Sequence, residues 1–233
     1  MTTHTAGSLK RRRLYVMRHG DVSYFDDTGK PNVPTTVPLN DAGREQAQAA
    51  AQALATIPFD RVLASDLPRS IETATIVAAG RCPVETEPAL REIHPGRLTD
   101  IPQDGVEEAF LNAFTGNLGR ADQFLGGETY GALEDRVNAC LDTIQADHRW
   151  KQLLIVAHGG VNRVILARAL GLGLASFGDF EQDPACLNIF DVSDTGRWIV
   201  RLVNHTPYNP AKEGIELTTM EQLYLQYRAR KAT

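Results

Sequence analysis

Hydrophobic positions along this chain follow two rhythms. Short apolar runs, Leu14 to Met17 and Leu153 to Ala157, break off at or just before a histidine followed by glycine. A run of this kind, closed by a turn signal, predicts a buried strand ending at a sheet edge. Elsewhere the spacing is helical. Ala47, Ala50, Ala51 and Leu54 recur at i, i+3, i+4, i+7 behind Asn40, a good N-cap, and Pro58 is expected to end that helix. Arg61 to Ala64 reads as a strand. Ser65 or Asp66 is expected to cap the next helix, which has Pro68 in its first turn and a stripe of Leu67, Ile71, Ala74 and Ala78.

Pro83 to Thr86 reads as a short edge strand, and the weakly patterned stretch 92–127 as an insertion over the sheet edge and the site. A long helix carrying Leu133, Val137, Cys140, Leu141 and Ile144, then strand 153–157 and helix 161–170, follow. Cys186 to Val192 and Trp198 to Val203, joined by Ser193-Asp194-Thr195-Gly196, predict a hairpin. Thr218-x-x-Glu221 is a capping box opening a C-terminal helix over 217–231, with Met220, Leu223, Tyr224 and Tyr227 on one stripe. That stripe packs on its own domain, or else on a second copy in a homodimer. Strands alternating with helices predict an α/β fold: one domain, a three-layer sandwich with a mostly parallel central sheet and helices on both faces.

At 233 residues, 42% hydrophobic and 23% charged, the chain has the composition of a soluble globular domain. A net charge of -5 gives no basic field to draw nucleic acid. No run approaches the roughly 20 apolar residues of a membrane span. Three scattered cysteines, with no CxxC, argue against a disulfide framework or zinc site and fit a reducing, cytoplasmic compartment. Lys10-Arg11-Arg12-Arg13 precedes too short an apolar run for a signal peptide, so it reads as a solvated charge run leading into the first strand. Residues 1–10 read as a flexible tail.

Candidate chemistry sits where strands hand over to helices, the place where open α/β sheets bind ligands. Three such switches carry Arg18-His19, Arg69 and His158. Arg69, in the first turn of its helix, adds a guanidinium to the free N–H groups of the helix N-terminus. Gly159 and Gly160 let backbone N–H groups at the start of the following helix approach a ligand closely. Two guanidinium forks, two imidazoles and two helix N-termini suit a phosphoryl group. A metal site would want further carboxylates or a third histidine, with His94 the candidate, and the two arginines would repel a cation.

Five blocks, in order, carry a family resemblance: Leu14-Tyr15-Val16-Met17-Arg18-His19-Gly20; Pro38 to Ala47 around Asn40-Asp41-Ala42-Gly43; Ser65-Asp66-Leu67-Pro68-Arg69-Ser70; Leu90-Arg91-Glu92-Ile93; and Val156-Ala157-His158-Gly159-Gly160. Together the chain resembles branch 1 of the histidine phosphatase superfamily, the phosphoglycerate mutase-like fold. The resemblance implies that His19 is a nucleophile forming phosphohistidine, that Arg18, Arg69 and His158 hold the phosphoryl oxygens, and that Glu92 is the general acid and base. Asp21 and a carboxylate within 104–108 are the alternatives for that last role. The resemblance calls for no metal and no cofactor. The partner it implies is a small-molecule phosphomonoester.

Substrate is left open. The Asp21 to Pro38 loop lacks the Gly-Trp block of phosphoglycerate mutases, and His94-Pro95-Gly96-Arg97 follows Glu92, so hydrolysis is expected over mutase activity. A non-hydrolytic phospho-ligand module is the third reading; relatives of that kind lose a pocket residue, and none is missing here. Gly159, Ser23, Tyr24 and the 92–127 insertion are expected to line the substrate side. Asn204 to Asn209 reads as a turn leading to the terminal helix.

Overall fold

The computed structural model describes residues 10–26, 32–115 and 118–231, so the expected tail, apart from Lys10, lies outside the described residues. One six-stranded sheet organises them: β1 (Arg11–Arg18), β2 (Arg61–Ala64), β3 (Val84–Thr86), β4 (Gln152–Ala157), β5 (Leu187–Ser193) and β6 (Trp198–His205), in the order β3-β2-β4-β1-β5-β6. β3–β2, β2–β4 and β4–β1 pair in parallel, while β1–β5 and β5–β6 are antiparallel. The sheet is mostly parallel, with the expected hairpin at one side.

Alternation along the central strands divides the core. Leu14, Val16, Leu153 and Ile155 face one side, beneath α4 (Tyr130–Ala146) and α5 (Gly159–Leu170). Tyr15, Met17, Leu154 and Val156 face the other, beneath α1 (Asp41–Ala53) and α2 (Pro68–Ala78). This gives the three layers that the alternation of strands and helices predicts. The described residues of the 92–127 stretch fold as short 3-10 turns around α3 (Val106–Leu111). Its Phe110, Phe114 and Phe124 pack into the α4/α5 face, so what polar patterning fails to reveal is held by aromatic contacts. α6 (Thr219–Lys231) lays Met220 and Tyr224 into the same core, with Phe110 stacked 5.8 Å from Tyr227. The terminal stripe therefore packs on its own chain.

Several boundaries move, each for a local reason. α1 stops at Ala53, before Pro58. α5 begins at Gly159, so His158 itself is its N-cap. The cap of α2 is Leu67, with no side-chain bond; Asp66 is drawn instead into an ion pair with Arg91 at 2.5 Å, and Ser65 serves elsewhere. The basic run is solvated only in part: Arg11 to Arg13 belong to β1, with Lys10, Arg11 and Arg13 exposed and Arg12 turned inward. Arg12 is buried against Trp150, 4.3 Å from its ring, and donates to the carbonyls of Gln145 and Asp147 at the end of α4. A helix C-terminus leaves such carbonyls without intrahelical partners, and the guanidinium satisfies them. Arg13 pairs with Asp191 at 2.7 Å. No helix among the described residues is long and apolar enough to cross a membrane.

Candidate active site

β1 and β4 are neighbours in register, Arg18 opposite Ala157, so the residues that follow them emerge side by side. The His19 N–H donates to the Ala157 carbonyl at 3.0 Å, and the two imidazole rings stand 5.1 Å apart. The chain then turns beneath α1. A Cβ on Gly20 would run into the Gly43 carbonyl and one on Gly43 into Asp21, so two backbones touch where only glycine fits. Asn40 caps α1 by accepting from the Gly43 N–H at 2.8 Å, and its Nδ2 donates to Asp21 Oδ2 at 2.8 Å. Asp21 is thereby engaged in holding the turn.

His19 is fixed in one tautomer. Its Nδ1 lies 2.7 Å from the Gly20 carbonyl, an acceptor, so Nδ1 carries the proton. Nε2 keeps its lone pair and accepts from Arg69 Nε at 3.2 Å. Burial pushes the imidazole well below its ordinary pKa, and Arg69 and Arg18 push the same way. The ring is a free base in neutral solution. His158, also fully buried, is shifted down by burial first, then by Arg69 and His19. Its Nε2 meets Ser65 Oγ at 2.9 Å and Ser70 Oγ at 3.3 Å, and its Nδ1 faces Arg69 Nη2 at 3.4 Å.

Both arginines are buried, Arg18 at 6% and Arg69 at 3% exposure. Arg18 Nη1 donates to the Gln182 carbonyl at 2.6 Å and to Thr219 Oγ1 at 2.8 Å, whereas its Nε is buried without a hydrogen-bond partner. Burial alone would lower the Arg18 pKa, but Tyr24, Glu181, Cys186 and Glu92 outweigh it and raise it. For Arg69 burial wins and the shift is downward. Arg69 Nη1 donates to the Pro34 carbonyl at 2.5 Å. Beside them Cys186, just ahead of β5, has its thiol pushed up to about 12 by burial, an inert group in neutral solution.

Glu92 reaches the same place from the other side. Its carboxylate accepts from the Gly160 N–H at 3.1 and 3.2 Å, at the N-terminus of α5, and from the Ile93 N–H at 3.0 Å. Arg136 of α4 clamps its segment, donating to the carbonyls of Ala89, Arg91 and Glu92 at 2.8, 2.7 and 3.2 Å. A methyl on Gly159 would contact Arg163 Nη1, Glu92 Oε2 and Arg18 Nε, which places that glycine at the meeting point of the cluster.

The structure thus brings together Arg18, His19, Arg69, Glu92, His158 and Gly159. Ser23 is not drawn in: it stands exposed, with its carbonyl accepting from Asn32 Nδ2 at 2.7 Å. His94 is exposed, with its N–H donating to Glu128 at 2.9 Å. Asn204 and His205 close β6 and the chain then turns through Thr206 to Asn209, with Asn204 bonded to Asp183 and Asn188 and Tyr208 donating to the Pro184 carbonyl. Among the described residues no three His, Cys, Asp or Glu side chains gather as a metal set. Sequence reasoning misses Ser65 and Ser70 as partners of His158, and the buried Arg163, although an arginine in the first turns of the apolar helix after His158 is a signal for the last.

Comparison with known proteins places this fold among described families. The profile of the histidine phosphatase superfamily (branch 1) matches residues 14–205. Phosphoglycerate mutase-like protein 4 of Arabidopsis thaliana is 34% identical over 196 residues, 81% of this chain and 83% of the relative. A metal-independent phosphoserine phosphatase, also of Arabidopsis thaliana, is 32% identical over 162 residues, 66% of this chain and 67% of its own length. Among solved structures, the alpha-ribazole phosphatase from Shigella flexneri superposes with a TM-score of 0.69 at 27% identity, covering 83% of this chain and 96% of that one.

Proposed function

Because the chain belongs to branch 1 of the histidine phosphatase superfamily, we propose that it hydrolyses small phosphomonoesters without a metal, through a phosphohistidine on His19. That it is a phosphoric monoester hydrolase follows from the family and from relatives named as phosphatases. The observation carrying the mechanism is the state of His19: neutral, with its Nε2 lone pair held beside Arg69 and its Nδ1 proton anchored on Gly20.

In the first step Nε2 attacks phosphorus in line with the leaving oxygen; the N–P bond forms as the P–O bond breaks. Arg18, through its unpartnered Nε, together with Arg69 and His158, meets the charge on the equatorial oxygens, a term that dominates phosphoryl transfer. Glu92 delivers a proton to the departing alkoxide. In the second step it takes a proton from water, which attacks phosphorus and returns the free imidazole. Buried guanidinium groups supply the positive charge that a divalent cation supplies in other phosphatases, and they repel such a cation.

The names of the relatives state different substrates, alpha-ribazole in one and phosphoserine in another, so the class is set here as small phosphomonoesters. The test is turnover of a panel of sugar phosphates, nucleotides, phosphoglycerates and phosphoamino acids by wild type and His19→Ala, with and without EDTA. Release of phosphate that is lost in His19→Ala and indifferent to EDTA is expected. Activity that survives His19→Ala, or that EDTA abolishes, overturns the reading, as does conversion of 3- to 2-phosphoglycerate outpacing phosphate release.

A further inference from the structure

Thr219 opens α6 at the far end of the chain, yet it touches the arginine that precedes His19. Its hydroxyl oxygen lies 2.8 Å from Arg18 Nη1 and 3.3 Å from Glu181 Oε1. A guanidinium only donates and an ionised carboxylate only accepts. The hydroxyl must therefore accept from Arg18 and donate to Glu181. Glu181 Oε1 is fixed in turn, accepting from the Gln182 N–H at 2.9 Å and from Arg163 Nη2 at 3.1 Å. Arg163 is 3% exposed, lies 4.6 Å over the Phe114 ring, and donates through Nη1 to the Gly159 carbonyl at 3.3 Å. A continuous polar chain runs from Arg18 through Thr219, Glu181 and Arg163 to the helix that starts beside the site.

The consequence concerns which edge of Arg18 is free. Nη1 is occupied by Thr219 and the Gln182 carbonyl, while Nε is buried without a hydrogen-bond partner. A buried N–H left unpaired is costly, and a ligand oxygen would satisfy it. We propose that Thr219 is a positioning residue: its hydroxyl, oriented by Glu181, holds Arg18 with the Nε edge turned to the phosphoryl group, so the C-terminal helix helps to assemble the anion cradle. This rests on the phosphatase reading above.

The test measures the affinity of full-length protein for orthovanadate, a mimic of the phosphoryl-transfer transition state that contacts the cradle without turnover. Thr219→Val, which keeps the shape and removes the hydroxyl, is expected to weaken vanadate binding on the order of 10-fold. On an aryl phosphate the same variant should lower kcat more than it raises KM. Thr219→Ser should restore both. Thr219→Ala repeats the measurement should valine prevent folding. Thr218→Ala removes the neighbouring cap, in which Thr218 Oγ1 and the Glu221 N–H are 3.3 Å apart. It should lower the melting temperature and leave vanadate affinity unchanged. Wild-type affinity in Thr219→Val or Thr219→Ala overturns the proposal, and so does equal loss in Thr219→Ser, which would mark packing rather than the hydroxyl. Vanadate affinity judges Thr219, whereas loss of activity in His19→Ala judges the phosphatase reading, so the two fail separately.

Discussion

Replacing Gly160 by alanine isolates the Glu92 carboxylate from the rest of the site. The new methyl would stand 2.6 Å from Glu92 Oε1, with the carboxyl carbon at 3.5 Å. Ordinary contact begins near 3.4 Å, so the oxygen must retreat by 3.4 − 2.6 = 0.8 Å. That retreat weakens the bonds from the Gly160 N–H, now 3.1 and 3.2 Å. Folding should barely notice. Alanine in a helix gains about 0.5–1 kcal/mol over glycine, and the weakened hydrogen bonds lose about as much. Catalysis should notice, because a displacement of about 1 Å can cost on the order of 10² in rate. The loss must also be selective. An alkoxide leaves poorly without a proton, whereas p-nitrophenolate leaves unaided. Stopped-flow comparison of glycerol phosphate with p-nitrophenyl phosphate should show the first slowed on the order of 10²-fold and the first turnover of the second nearly unchanged. Wild-type rates on both substrates would refute the placement of the acid at Glu92. Equal collapse on both would show that the phosphate cradle had moved instead.

Three further outcomes follow from the same structure. Glu92→Gln should slow alkyl phosphate hydrolysis on the order of 10²–10⁴ and give, with p-nitrophenyl phosphate, a burst of nitrophenol followed by a slow steady rate; single-phase kinetics at the wild-type rate would speak against it. His19 and His158 are held below their unfolded pKa of about 6.5, so as pH falls through that value the unfolded chain takes up protons first and stability is lost, at up to about 1.4 kcal/mol per pH unit for each histidine. Urea melts between about pH 7.5 and 5.5 should show this slope, and His158→Asn should make it shallower; an unchanged slope would contradict the neutral imidazoles. Truncation after Gly214 removes the buried Met220 and Tyr224, a loss of roughly 3–6 kcal/mol. Light scattering should find an unfolded or aggregated product rather than a clean folded monomer.

Legibility in the sequence tracked how local each determinant is. His19 and His158 could be placed together because a buried parallel strand announces itself as an apolar run, and both runs end at the same edge. Arg69 and Asn40 were legible because proline and the cap fix where their helices begin. Arg12 departs from the solvated run because charge patterning says nothing of a helix end lying 133 to 135 residues away in the chain; it is buried because the last carbonyls of α4 need its donors. The 92–127 stretch hid its structure for a related reason: Phe110 is anchored by Tyr224 of α6 and Phe114 by Phe177, both far along the chain, with Phe124 stacked on Phe114, rather than by any period of their own. Thr219 and Glu181 were invisible because their role exists only once the two ends of the chain have met.

The most direct measurement is the phosphoenzyme itself. Wild-type protein is mixed with a labelled phosphomonoester, quenched in base within its first turnovers, and digested, and the site of label is read by mass spectrometry. Phosphate stable to base, labile to acid and located on His19 is the predicted result, and it should be absent from His19→Ala. Steady release of free phosphate by wild type with no label on any histidine would contradict the account at its centre.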